Sequence, residues 1–189
     1  MTALPRWLGW IRDPEHAHRV AILAKTPVFA GLPKRLLGRL AAKLFEKAYA
    51  PGEVVFHEGD PGRGLFVVLD GKVDIVRTTA QGEQQLASFG PSTAFGELAL
   101  IDDLPRSATA RASMPTHLLI LYRTHFETLV EGERRIALVV MHNLLRTLAG
   151  YVRVASARVA SASPSARSDA PAPLPGDGGG TPRNPPAGS

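Results

Sequence analysis

Hydrophobic residues in the middle of the chain occur in short runs that alternate with turn residues. The runs are rich in side chains that favour β-strands, and dipeptides such as Pro51-Gly52 and Asp70-Gly71 separate them. Many short strands with regularly spaced turn signals predict an antiparallel sandwich, barrel or roll. The predicted strands cover residues 54–56, 65–69, 73–77, 85–89 and 118–121.

Helical spacing of apolar residues flanks this block on both sides. Ahead of it, residues 33–46 carry apolar side chains at helical spacing, and residues 14–24 are a second candidate helix. After it, residues 133–159 contain no proline and repeat apolar side chains in steps of three and four, which predicts a long helix. The predicted fold class is therefore α+β: N-terminal helices, then a jelly-roll-like antiparallel β-roll, then a long C-terminal helix.

The predicted C-terminal helix has two apolar faces. A single packing partner would leave one face in water. We therefore expect one face to pack on the domain and the other on the same helix of a second copy, which makes a homodimer. An intramolecular partner for the second face is the alternative. The heptad face carries Leu138, Met141, Leu145, Leu148, Val152, Ala155 and Val159, and the other face carries Ile136, Val140, Leu144 and Tyr151.

Composition changes towards the end of the chain. Residues 161–189 are almost all Ser, Ala, Pro, Gly, Arg and Asp, and Leu174 is the large aliphatic residue among them. Such a segment buries too little apolar surface to offset its ordering entropy, so we expect a disordered tail. A solvated linker is the favoured interpretation, and a docking segment is the alternative. We assign residues 1–25 to a helical extension, 26–160 to the folded domain with its C-terminal helix, and 161–189 to the tail.

Charge and apolar content argue against nucleic acid and membrane as partners. The net charge of +5 is spread along the chain rather than concentrated on one element. No stretch approaches the about 20 apolar residues that a membrane span requires. The apolar run at residues 4–11 is interrupted by Pro5, Arg6 and Gly9 before a signal-peptide core forms. We expect a cytoplasmic protein.

Residues suited to metal binding or catalysis do not cluster. The chain has no cysteine, which excludes disulfides and thiolate metal sites. His57 and Glu58 lie in a turn region without the other ligands that cupins, a metal-binding jelly-roll class, would show. The sequence has no phosphate-binding P-loop and no nucleophile-elbow motif. We therefore expect neither an enzyme nor a cofactor, and a metal-dependent jelly-roll enzyme is the weakest alternative.

An acid and a base stand among small and turn residues at positions 95–110. Gly96 and Glu97 begin a predicted short helix over 97–101, whose N–H groups favour an anion. Arg106 follows a loop containing Pro105, and its guanidinium can hold a phosphate in a bidentate manner. A carboxylate beside a phosphate is repelled unless it serves another group, and a sugar hydroxyl is a suitable donor. The alternative is a surface ion pair between Glu97 and Arg106 across a turn.

This segment resembles the phosphate-binding cassette of the cyclic nucleotide-binding domain family, which includes bacterial catabolite activator proteins and regulatory subunits of cyclic-nucleotide-dependent kinases. Residues 51–60 and 65–73 also match the family's first strands and glycine turns, and the resemblance covers about residues 26–155. It implies that Glu97 holds the ribose 2′-hydroxyl and that Arg106 holds the exocyclic phosphate oxygens. It implies further phosphate contacts, through backbone or hydroxyl groups, for Gly96, Leu98, Ala99, Ser107 and Ala108.

The resemblance places recognition of the base on the C-terminal helix. An ungapped count brings Thr147 and Tyr151 to that region, where Tyr151 could stack on the base and Thr147 could bond its edge. The polar pair that bacterial activators use there is not reproduced, because Tyr151 and Val152 occupy the positions. The hydroxyl of Ser107 fits either ligand. Cyclic AMP and cyclic GMP both stay open, with cyclic AMP favoured on resemblance.

The resemblance predicts a sensor that signals through protein contacts. Capture of the cyclic phosphate would reorder residues 96–107 and shift the helix over 133–160, which acts on a twin copy or on an unidentified protein partner. Catabolite activators carry a winged helix-turn-helix domain after this helix, whereas the sequence here continues into the tail, so we expect no DNA binding by this chain alone. The alternative is an interaction module that kept the fold and lost the ligand, and the intact Glu97 and Arg106 count against it.

Overall fold

The structure is a computed structural model that describes residues 13–162, with side chains described as far as residue 158. The chain divides into two units after Gly150. The second unit, as far as it is described, is helical, and its side chains are exposed. The predicted positions in residues 1–12 and in the tail from residue 163 lie outside the described residues.

Among residues 13–162, two helices precede eight strands along the chain and two follow them. The first helices are α1 (Pro14–Lys25) and α2 (Lys34–Ala41), with a 3₁₀ turn at Pro27–Phe29 between them. The last are α3 (Arg123–Gly132) and α4 (Arg134–Ala162). The strands are β1 (Phe45–Tyr49), β2 (Val54–Phe56), β3 (Gly64–Asp70), β4 (Val73–Thr79), β5 (Gly82–Phe89), β6 (Ala94–Phe95), β7 (Thr109–Ala112) and β8 (Thr116–Tyr122), and a second 3₁₀ turn, Glu97–Leu100, follows β6.

The strands form two four-stranded antiparallel sheets. One has the order β1-β8-β3-β6 and the other the order β2-β7-β4-β5. In the first sheet Phe66 of β3 lies opposite Phe95 of β6. In the second, Phe56 of β2 lies opposite Ala110 of β7. Because β2 leads directly into β3, these two pairings bring the segment after β6 and the segment before β7 to the same end of the roll. The predicted α+β class with an antiparallel roll is confirmed.

Strand β3 is buried on both sides. Its residues Leu65 and Val67 belong to a core cluster with the helices, whereas Phe66 and Val68 belong to a cluster inside the roll. Successive side chains of a strand point to opposite faces, so a strand covered on both faces has no polar alternation. That explains why residues 65–69 form an unbroken apolar run in the sequence.

The helix expected over residues 33–46 is shorter than predicted. Helix α2 ends at Ala41, and Phe45 already begins β1, where it pairs with Ile120 of β8. The apolar side chains of Leu44 and Phe45 continue the helical spacing by coincidence, and pairing with β8 decides the conformation of this segment. The candidate helix over residues 14–24 is confirmed as α1.

Helix α4 buries one of its two predicted apolar faces. Ile136, Val140 and Leu144 are buried in the core cluster that the helices share with β3 and β8. Leu138 and Leu145 on the heptad face are 70% and 62% exposed. Within the first unit, the expectation that one face packs on the domain is confirmed, and the packing of the heptad face on a second copy stays a prediction.

Candidate anion-binding site

The backbone of Arg106 is paired with the loop that connects β2 to β3. The Arg106 N–H donates to the Asp60 carbonyl over 2.8 Å, and the Gly59 N–H donates to the Arg106 carbonyl over 2.9 Å. Next to this pair, Pro61 and Pro105 form an isolated antiparallel bridge. These contacts hold the main chain of Arg106 in one place, although it lies outside any strand.

The guanidinium of Arg106 is buried and faces two main-chain carbonyls. The residue is only 8% exposed. Its Nη1 donates to the Gly96 carbonyl over 3.0 Å and its Nη2 to the Gly64 carbonyl over 2.9 Å. Its Nε is shielded from solvent and has no hydrogen-bond partner among residues 13–162. Buried donors in proteins are nearly always paired, so this atom is suited to an acceptor that a ligand supplies.

Aromatic rings cover the guanidinium. The Cζ atom of Arg106 lies 4.1 Å from the ring centroid of Phe56 and 5.4 Å from that of Phe66. A cation over the face of a ring is attracted by its quadrupole. Burial lowers the pKa of Arg106, while the carboxylates of Glu97 and Asp60 act in the opposite direction. The site thus combines a desolvated cation with nearby acidic groups.

Glu97 begins the 3₁₀ turn Glu97–Leu100 directly after Gly96. The turn is shorter than the helix expected over 97–101, and its Ala99 N–H donates to the Gly96 carbonyl over 3.3 Å. A helix dipole needs aligned peptide units, so a single turn contributes little to anion binding, and the charge of Arg106 is the larger attraction. Glu97 is only 9% exposed. A surface ion pair with Arg106 therefore does not describe this arrangement.

The remaining residues predicted to contact the phosphate precede or follow Arg106 in the sequence. Ala99 and Ala108 are buried, while Leu98 and Ser107 are exposed. The Ala99 carbonyl accepts from Nε of Arg123 over 2.7 Å. The Ser107 carbonyl accepts from Arg77, whose Nη2 lies 2.6 Å away. Gly96, Glu97 and Arg106 meet in the structure, and the roles of these residues toward a ligand stay predictions.

The two residues expected to contact the base lie in different units. Thr147 is half-buried, and its hydroxyl donates to the Asn143 carbonyl over 3.1 Å. Tyr151 begins the second unit and is 52% exposed. Their roles in recognition of the base stay predictions.

Two residues that shape the site were not found from the sequence. Gly64 supplies a carbonyl to Arg106, and a Cβ atom at this position would lie 2.5 Å from the Leu121 carbonyl oxygen. Glycine is therefore required for β3 to approach β8 there. The one sequence signal for this role is the position of Gly64 directly before the apolar run at residues 65–69. Phe56 precedes Arg106 by 50 positions, and no local spacing links them.

Neither a metal-binding cluster nor a membrane-spanning helix is found in the described part of the chain. No group of three or more His, Asp and Glu side chains is arranged there to hold a metal ion. Among the same residues, no helix is both long and apolar enough to cross a membrane.

Comparison with known proteins identifies relatives of this chain. The family model for the cyclic nucleotide-binding domain matches residues 46–133. The cyclic AMP receptor protein of Thermus thermophilus is 37% identical over 69% of this chain, and a cAMP-dependent protein kinase regulatory subunit of Hypocrea atroviridis is 32% identical over 58%. The chain spans 59% and 24% of the length of these two relatives.

A solved structure has the same fold, and nearly the whole of that structure matches this chain. It is the N-terminal domain of a transcriptional regulator from Streptomyces coelicolor A3(2), which is 37% identical to this chain. The match covers 69% of this chain and 94% of that one, with a TM-score of 0.64.

Proposed function

The chain belongs to the cyclic nucleotide-binding domain family, and on that premise we propose that it is a non-catalytic regulatory protein of the cytoplasm that senses a cyclic nucleotide and signals through protein contacts. The observation that carries the proposal is Arg106. Its buried guanidinium has a shielded Nε without a hydrogen-bond partner among the described residues, and it lies close enough to Glu97 for their charges to interact.

A cyclic phosphate suits this environment because it brings a negative charge to a desolvated cation. A buried charge is costly unless it is paired, and the carbonyls of Gly64 and Gly96 that contact Arg106 are neutral. A phosphate oxygen accepts from a guanidinium in a charge-assisted hydrogen bond. The proposed role of Glu97 is to accept from the ribose 2′-hydroxyl, since an ionised carboxylate can only accept.

Cyclic AMP is the proposed ligand, and cyclic GMP is the second candidate. The names of the Thermus relative and of the kinase regulatory subunit both specify cyclic AMP, which supports this order. The hydroxyl of Ser107 next to Arg106 does not separate the two nucleotides, because it can donate and accept.

The output of the sensor is proposed to pass through the exposed face of α4 to a second copy of the chain. Leu138, Met141 and Leu145 lie on this face at heptad spacing, and all three are exposed. Large aliphatic side chains at that spacing are typical of a coiled-coil interface. A ligand can shift such a helix only by binding one of its positions better than the other.

Titration calorimetry of the full chain with cyclic AMP, cyclic GMP and a cyclic dinucleotide tests the proposal. We expect heat and a rise in Tm with cyclic AMP. Arg106→Ala removes a charge-assisted contact worth about 1.5–3 kcal/mol, so affinity should fall by about tenfold or more. Arg63→Ala removes an exposed arginine from the loop between β2 and β3, and this variant should bind as the native chain does.

Two results would contradict the proposal. Absence of heat and of any Tm shift with all three nucleotides would favour the ligand-free interaction module. Native affinity in a folded Arg106→Ala variant would reject the assignment of the phosphate to this residue. Glu97→Gln gives a second measure at the sugar end, and we expect weaker binding with the phosphate contact retained.

A further inference from the structure

The ring of Phe56 covers one face of the Arg106 guanidinium, with 4.1 Å between the ring centroid and Cζ. The two residues meet because β2 pairs with β7, where Phe56 lies opposite Ala110. We propose that Phe56 is a positioning residue, which holds the guanidinium of Arg106 in the orientation that receives a cyclic phosphate. The ligand part of this inference rests on the proposed function, whereas the positioning part does not.

The contacts of Arg106 constrain its guanidinium in two different ways. Hydrogen bonds to the Gly96 and Gly64 carbonyls fix two edges of the planar group. Hydrogen bonds in the plane do not stop the group from tilting about its long axis. A ring on its face does, and a guanidinium stacks well on aromatic faces because it is weakly hydrated there.

The position of Phe56 in the aromatic cluster distinguishes it from an ordinary core residue. Phe66 and Phe95 are buried and stack on each other at 5.3 Å. Phe56 is only half-buried, and it lies 5.4 Å from Phe66 at the edge of this cluster. Its ring therefore lies between the cation and the stacked rings, and leucine could replace its volume but not its aromatic face.

Positioning of Arg106 before the ligand arrives would raise affinity. Arginine has many rotamers, and binding is weakened when a side chain must be immobilised at the same time. A guanidinium already held by a ring and two carbonyls loses little further freedom. Loss of the ring should therefore weaken cyclic AMP binding by about tenfold, even though Phe56 need not touch the nucleotide.

Ring-current shifts test the positioning without any nucleotide. Protons above the face of an aromatic ring resonate upfield, and Nε of Arg106 is shielded from solvent, so its proton should exchange slowly enough for detection in the ¹⁵N-arginine-labelled full chain. We expect an upfield Arg106 side-chain N–H signal. The upfield shift should become much smaller in Phe56→Leu, where the more distant ring of Phe66 remains, and it should persist in Phe56→Tyr.

A matched control removes a different ring from the same cluster. Phe89 stacks on Phe95 at 5.6 Å, and the described contacts of Arg106 are with Phe56 and Phe66. Phe89→Leu therefore removes an aromatic ring without uncovering the cation. We expect the Arg106 signal to stay upfield in this variant, and a shift as large as in Phe56→Leu would overturn the proposal.

Affinity measurements then connect the positioning to ligand binding. Phe56→Leu should weaken cyclic AMP binding about tenfold, and Phe56→Tyr should restore it to within about twofold of the native chain. In an Arg106→Gln background, Phe56→Leu should cause no further loss, since the ring then has no cation to hold. An equal loss in both backgrounds would indicate general packing and would overturn the proposal.

The outcomes separate this inference from the proposed function. If the native chain binds no cyclic nucleotide but the ring-current pattern holds, the proposed function fails and the positioning stands. If the native chain binds cyclic AMP and Phe56→Leu binds equally well, the proposed function stands and the positioning is wrong.

Discussion

Gly96 lies directly against Arg106, and a Cβ atom added to Gly96 would come within 2.6 Å of Nη1 of the arginine. The same nitrogen donates to the Gly96 carbonyl over 3.0 Å. Gly96 also has a φ of +72°, in the left-handed region that favours glycine. The residue therefore supplies an acceptor, a turn and the space for a guanidinium at one position.

Substitution of Gly96 by alanine should damage the site and the fold together. The positive φ and the contact with Nη1 are both unfavourable for a side chain, and Gly96→Ala should lower the free energy of unfolding by about 1–3 kcal/mol. Displacement of Arg106 should weaken cyclic AMP binding by about tenfold or more. Urea denaturation and calorimetry measure the two effects.

Gly90→Ala is the control for this substitution, because an added Cβ atom there meets nothing within 4 Å. It should bind cyclic AMP as the native chain does. Native affinity in Gly96→Ala would mean that Arg106 can leave its position beside Gly96 without consequence for the ligand.

Local patterns were sufficient to predict the part of the site that is continuous in the sequence. Gly96, Glu97 and Arg106 lie within one segment of 11 residues, and the resemblance of that segment to a phosphate-binding cassette, together with its small and charged residues, predicts that they act together. Two further partners of the Arg106 side chain, Gly64 of β3 and Phe56 of β2, lie outside this segment. Gly64 is 42 positions away, and only the folded sheets bring its carbonyl to the guanidinium.

Strands β1, β6 and β7 were not predicted from the sequence, and two of these strands have weak sequence signals for a physical reason. Strand β7 has the sequence TARA, in which Ala110 and Ala112 are fully buried. Both belong to the cluster inside the roll, where Phe66 and Phe95 occupy much of the space, so the strand carries no bulky apolar residue. Strand β1 is mostly exposed, and only Tyr49 at its end is buried, which removes the alternation that predicts a strand.

Loss of the Arg123 side chain should loosen the turn that carries Glu97. Arg123 donates from Nε to the Ala99 carbonyl over 2.7 Å and forms an ion pair with Asp103, so it ties the second half of this turn and the segment that follows it to the start of α3. In Arg123→Gln, the amides of Ile101 and Asp102, which donate to the Leu98 carbonyl, should exchange with solvent about tenfold faster. Hydrogen exchange measured by NMR reports this.

Arg63→Gln is the matched variant, because Arg63 is exposed and accepts the Arg123 N–H through its main-chain carbonyl, which the substitution keeps. It should leave both exchange rates unchanged. Equal protection of Ile101 and Asp102 in Arg123→Gln and in the native chain would show that the turn does not depend on this side chain.

The carboxyl group of Glu83 should titrate below its ordinary pKa of 4.5 because Arg111 donates two hydrogen bonds to it. Because the pKa of Glu83 is lower in the folded state than in the unfolded state, the pair stabilises the fold at pH values above the unfolded-state pKa. This stabilisation is lost as the pH falls through the folded-state pKa. NMR titration of the side-chain carboxyl carbon measures the shift. Both side chains lie at the surface, so added salt should reduce it.

Arg111→Gln should return the Glu83 pKa towards its ordinary value, since it removes both the hydrogen bonds and the charge. Arg77→Gln serves as the comparison, because Arg77 pairs with Glu58 rather than with Glu83. A depressed pKa that persists in Arg111→Gln would assign the shift to another group.

An acidic residue on the exposed face of α4 should separate the proposed dimer. Leu138 and Leu145 are exposed, so Leu138→Glu combined with Leu145→Glu should change the free energy of unfolding of one copy by less than about 0.5 kcal/mol. Burial of two carboxylates against the same face of a second copy would be strongly unfavourable. Sedimentation equilibrium should find a dimer for the native chain and a monomer for the double variant.

Arg146→Glu introduces an acid on an exposed flank of the same helix and should stay dimeric. A monomeric native chain, or a double variant that remains dimeric, would rule out this face as the contact and leave an intramolecular or foreign partner to cover it.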